Sequence, residues 1–125
     1  MNWSNRYWGT DPMPQQTALT HLLFGEFVRA HKFALIHFWA TWNGDDVQMK
    51  QLIESQIPGD LLGRVAFATF EVDPAEHHEI CRQHNLLNVP FLAFYRDGSL
   101  VRTSTGMAAA EVIIQYLTEL VDEGA

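Results

Sequence analysis

Apolar and polar positions alternate along the chain with two periods, and each stretch predicts an element. In THLLFGEFVRAHK, Leu22, Leu23, Phe27 and Val28 recur at helical spacing, with Thr20 as the expected N-cap. FALIHFWA, residues 33–40, is a continuous apolar run, which suits a central strand covered on both faces. A helix is predicted from Asp45 to Ser55, with Val47, Met49, Leu52 and Ile53 as its apolar members and Ile57-Pro58-Gly59 as its stop. RVAFATFEV, from Arg64 to Val72, is a second apolar strand, followed by a polar helix over Pro74 to Asn85. Phe91 to Tyr95 is a third strand. Asp97-Gly98 marks a hairpin turn, and Ser99 to Thr105 returns antiparallel. The spacing of Val112, Ile113, Tyr116, Leu117 and Leu120 predicts a closing helix over Met107 to Val121.

Strands joined through helices imply parallel pairing with right-handed crossovers, and the last hairpin adds an antiparallel edge. The pattern is therefore one α/β domain with helices on both sheet faces. It occupies residues 17–125. Residues 1–16 show neither period and form an irregular arm. Trp3, Tyr7 and Trp8 in that arm are expected to pack back on the domain, with partner docking as the other option.

Composition narrows the function. The chain has 125 residues, 47% of them hydrophobic, enough for one core. The formal net charge of −7 makes nucleic acid a poor partner, because an acidic surface repels phosphate. No stretch approaches the roughly 20 apolar residues that span a bilayer, and the N-terminus lacks the apolar centre of a secretory signal. One cysteine, Cys81, forms no intramolecular disulfide, which fits a reducing compartment. A cytoplasmic location is expected.

The stretch LIHFWATWNGDD resembles the thioredoxin family's strand, Phe-Trp-Ala, a second Trp, and then Cys-Gly-Pro-Cys. VAFATFEVD is similar to the next strand with its closing Asp, and NVPFLAFYRDGSLV to the segment of cis-proline, strand, turn and strand. Gly106 falls where the family has a glycine before its last helix. The resemblance covers about residues 20–121. It implies a thioredoxin-like fold: a central mixed sheet of parallel strands plus a C-terminal antiparallel hairpin.

The departures carry the functional expectation. The family's two cysteines fall on Asn43 and Asp46 and its proline on Asp45, and Gly44 alone is kept. Disulfide exchange needs a thiolate to attack and a second thiol to release the mixed disulfide. An amide and a carboxylate do neither, so no catalytic residue is expected. Asp45 and Asp46 are read as capping the helix that follows, in preference to an acid/base or metal pair, since no third ligand lies near them in sequence. The family's buried acid falls on His37 and its lysine partner on Thr69. His37 is expected to be a core histidine bonded to backbone or to Thr69.

Cys81 is the candidate for a different chemistry. It falls in mid-helix, where a cysteine is usually a small buried hydrophobe. His77, Cys81 and His84 are spaced to share one helix face. A structural zinc needs four ligands and no partner is evident, so neither metal nor cofactor is expected.

The resemblance further implies a substrate groove at Trp42, Gly44, Val72, Asn88, Val89, Pro90, Thr105, Gly106 and Met107, with Val89-Pro90 cis. The expected function is a redox-inactive, chaperone-like or assembly module that binds a protein or peptide. The alternatives are an enzyme using Cys81 or the Asp45/Asp46 carboxylates, and a subunit of a larger assembly.

Overall fold

A computed structural model describes residues 16–124. The expectation for the arm aromatics falls outside them. The elements are β1 (Thr17–Ala18), α1 (Phe24–Ala30), β2 (Phe33–Trp39), α2 (Gly44–Gln56), α3 (Gly59–Leu62), β3 (Ala66–Glu71), a 3-10 turn (Ala75–His77), α4 (His78–Gln83), β4 (Phe91–Arg96), β5 (Ser99–Thr105) and α5 (Ala110–Glu123). The five strands form one mixed sheet in the order β1-β3-β2-β4-β5.

Side chains of successive strand residues point to opposite faces, and two apolar clusters result. Leu35, Phe67, Leu92 and Phe94 face one side, where Met49 and Ile53 of α2 and Ile113, Leu117 and Leu120 of α5 cover them. Ile36, Phe38, Phe70, Phe91 and Ala93 face the other, under Phe24 and Val28 of α1 and Cys81 of α4. Burial of both faces explains why β2 reads as an unbroken apolar run. Each fully buried large side chain here, such as Phe38, contributes about 1.5–3 kcal/mol.

Several expectations need correction. β3 pairs parallel with β2, but β4 runs antiparallel to β2 despite the helix between β3 and β4. The connection from β3 passes along one face without a full crossover and returns to the end of the sheet where β3 finishes, so β4 starts there. β1 is only two residues long, too short to leave a period, yet it pairs parallel with β3. Thr20 does not cap α1 by its side chain. Its carbonyl accepts from the Leu23 and Phe24 amides, and the helix begins a turn later. Consequently Phe24 and Val28 are the buried pair, and Leu22 and Leu23 are exposed. Val47 and Val112 are likewise exposed. The polar helix splits into the 3-10 turn and the short α4. The Asp97-Gly98 turn has both residues at positive φ, 53° and 81°, as a two-residue hairpin with matching twist requires.

Candidate functional site

The carboxyl ends of β2 and β3 define one end of the sheet. β4 starts there and β5 finishes there, because Phe91 pairs with both Phe38 and Thr105. The loops at 40–43, 72–74, 88–90 and 106–109 are therefore neighbours.

Asn43 starts α2. Its backbone is extended and its side-chain oxygen accepts the Asp46 amide at 3.2 Å. Asn43 is thus the N-cap, one of the residue types best suited to that post. This corrects the expectation that the aspartates cap. Asp45 stays exposed in the first turn, where the helix dipole favours a carboxylate. Asp46 turns inward and is fully buried. Its Oδ2 accepts the Ala40 amide at 3.0 Å and its Oδ1 accepts from His37 Nε2 at 2.9 Å.

His37 is also fully buried. It lies in register with Thr69 on β3, but its bond goes to Asp46 and not to Thr69 or the backbone. That is a second correction. His37 Nδ1 and Trp39 Nε1 are buried without a hydrogen-bond partner among the described residues. The pair joins a strand residue to one nine positions later in the first turn of α2. A buried, hydrogen-bonded pair of this kind fixes geometry. Removing one partner strands the other in the interior.

Around this pair lies an open surface. Trp42 is 73% exposed, and its indole N–H donates to Asp73 at 2.7 Å. The Val72 amide bonds the Trp39 carbonyl at 2.9 Å, which ties the loop after β3 to the end of β2. The Val89–Pro90 peptide is cis. Gly106, at φ 93°, sends its N–H to the Pro90 carbonyl at 2.8 Å. A side chain at Gly106 would meet nothing within 4 Å, so its glycine serves the backbone conformation and not close packing. The Val89 amide is held by the Asn88 side chain at 2.9 Å. Asn88, Thr105 and Met107 are exposed, and Gly44 is exposed at the start of α2. Asp73 and Leu87 belong to this surface as well. Their signal was their placement beside Val72 and Asn88.

The second set of chemistry-bearing residues is on the opposite sheet face. Cys81 is a free, buried thiol, and burial pushes its pKa up. His77 stacks on Phe70 with ring centroids 4.0 Å apart and donates from Nδ1 to the Glu71 carbonyl at 2.5 Å. His84 donates from Nδ1 to the Ile80 carbonyl at 2.7 Å, and its Nε2 meets the Tyr95 hydroxyl. Burial pushes the His84 pKa down and the Tyr95 phenol up. His77 Nδ1 and both ring nitrogens of His84 are thus spent on backbone and phenol. No three His, Cys, Asp or Glu side chains are grouped to hold a metal among the described residues.

The family model for thioredoxin matches residues 15–119. The chain belongs to the thioredoxin family. It is 28% identical over 94 residues to Thioredoxin 2 of Chlorobaculum tepidum, covering 75% of this chain and 84% of that one. A monothiol glutaredoxin of Arabidopsis thaliana is 36% identical over 72 residues, but the match spans 58% of this chain and 14% of that protein. Among solved structures, the thioredoxin of Malassezia sympodialis superposes with a TM-score of 0.76 at 21% identity, covering 91% and 97% of the two chains. Thioredoxin 3 of Saccharomyces cerevisiae gives 0.72 at 24% identity, covering 83% and 94%. With a single cysteine, this thioredoxin-family chain has no Cys-x-x-Cys pair. No helix among the described residues is long and apolar enough to cross a membrane.

Proposed function

We propose that this domain binds an extended protein or peptide segment without disulfide exchange, as a cytoplasmic chaperone-like or assembly module. One observation carries the reading. The two positions that hold the family's cysteines are occupied by a helix cap, Asn43, and by a carboxylate buried against His37, Asp46. Neither presents a nucleophile. Beside them, Trp42 keeps a large exposed face, of the residue type enriched in binding hot spots. The loop through Pro90 and Gly106 stays fixed by its own hydrogen bond.

The thiol version of the enzyme alternative has little support. Cys81 is buried on the other sheet face, and its raised pKa works against the thiolate that reacts. The carboxylate version has no facing pair, since Asp45 is exposed and Asp46 is enclosed.

Insulin reduction by dithiothreitol tests the reading. The protein should leave the rate at its uncatalysed value. Turnover above that rate, abolished by Cys81→Ser, would overturn it.

A further inference from the structure

The loops and helix starts at the site end carry Asp45, Asp73, Glu76 and Glu111, all exposed. No lysine or arginine among the described residues joins them. Arg29, Lys32, Arg64 and Arg96 lie at the other end of the sheet. Lys32 bonds the Asp97 amide through its carbonyl, Arg29 sits against Gly98, Arg64 precedes β3, and Arg96 pairs with Phe33 at the start of β2. Lys50, Arg82 and Arg102 are each bonded to a glutamate on a helix, Glu54, Glu79 and Glu119. Asp97 and Glu123, the latter 3.6 Å from Arg96, offset cations at the end opposite the site, so the excess of carboxylate over cation lies at the site end.

Among the described residues, the site end also carries exposed apolar side chains. Leu87 is 91% exposed and Met107 is 44% exposed, in loops that flank Pro90 and follow Gly106. With Trp42 they give large exposed side chains at the site end of the sheet, on the same end as the carboxylates named above. Exposed apolar groups with a charged rim are the composition of an interaction site.

We infer that the occupant of this surface is a cationic extended segment, with a large apolar residue set against Trp42, Leu87 and Met107 and lysine or arginine on either side facing Asp45, Asp73, Glu76 and Glu111. This rests on the groove reading above and adds the chemical class of the partner. Carboxylates on the rim attract such a segment over about one Debye length, roughly 10 Å at 0.1 M salt, and repel an acidic one. The apolar anchor supplies most of the retained affinity.

The test is fluorescence anisotropy with three labelled nonapeptides. The first has a central phenylalanine flanked by lysines and arginines. The second replaces those cations by glutamate, and the third replaces the phenylalanine by alanine. The first should bind most tightly, more weakly as sodium chloride rises. Trp42→Ala should weaken it about tenfold, the size of a hot-spot loss. Asp45→Lys should weaken it several-fold, while the urea midpoint falls only slightly, by the lost interaction of a carboxylate with the helix dipole. Binding of the glutamate peptide as tight as the cationic one, and dependent on Trp42, would overturn the cationic partner and leave the groove reading standing. Cationic binding indifferent to both Trp42→Ala and Asp45→Lys, or no binding by any peptide, would overturn both.

Discussion

His37 and His84 lie on opposite faces of the sheet, one beneath the start of α2 and the other between α4 and β4. Both are removed from water to a large degree, and their partners differ. His37 meets a carboxylate, Asp46, in a fully buried pair. His84 meets neutral groups, the Ile80 carbonyl and the Tyr95 hydroxyl, with Phe24 and Phe38 against its ring. A carboxylate partner makes the two side chains depend on each other, so the loss of either leaves the other buried without its hydrogen-bond partner. Neutral partners leave a histidine that anchors a helix and is disfavoured when it charges. The first arrangement stands at the positions that the resemblance assigns to the family's exchange chemistry. The second is ordinary packing with a polar tip.

The comparison is broken most severely at Asp46. Asp46→Ala leaves His37 and the Ala40 amide without acceptors and should cost about 3–5 kcal/mol, a large part of the roughly 5–15 kcal/mol a domain has. The urea midpoint measures it, at unchanged slope. Asn43→Ala removes the cap of α2 but spares the pair. It should cost about 1 kcal/mol, read in the same way. Tyr95→Phe deletes one neutral partner of the half-buried His84 and should cost about 0.5–1.5 kcal/mol. A cost at Tyr95 equal to that at Asp46 would erase the distinction between the two sites.

Acid gives a subtler separation. His84 has its pKa lowered in the folded state, chiefly by burial. Between that value and the ordinary one of about 6.5, the unfolded chain binds more protons. The contribution of His84 is therefore complete above about pH 6.5 and declines as the pH falls below it. His84→Phe should flatten the urea midpoint's dependence on pH in this window. A pH profile identical to that of the unaltered protein would show that His84 is not the group responsible. The smallest effect is expected at Cys81, which should react with iodoacetamide far more slowly in the folded protein than in urea.

Much of the fold was legible because burial on both sheet faces writes itself as unbroken apolar runs. FALIHFW and FATF could be read without knowing their neighbours. The two-residue β1 left no period, and the direction of β4 depends on which way a short connection runs, which sequence spacing does not encode. At the site, the aspartates were assigned to capping because residues at a helix N-terminus commonly cap. That reading misses that Asp46, in the first turn, directs its side chain inward, and that a histidine in the inward phase of β2 needs an acceptor. A carboxylate at the inward position of one element and a histidine at the inward position of the next-packed element is a signal of pairing. It was available in His37 and Asp46, but only with the packing known. Asn43 is the cap, which frees Asp46 for His37.

The coupling between His37 and Asp46 tests the account most directly, through a double-mutant cycle of His37→Leu, Asp46→Leu and the double variant in urea unfolding. Each single variant should be destabilised by about 3–5 kcal/mol, and the double variant should be more stable than their sum by about 1–3 kcal/mol, the excess a buried coupled pair gives. Additive losses, with the double variant as costly as the two singles together, would contradict the account, because the two residues would then not act as one unit.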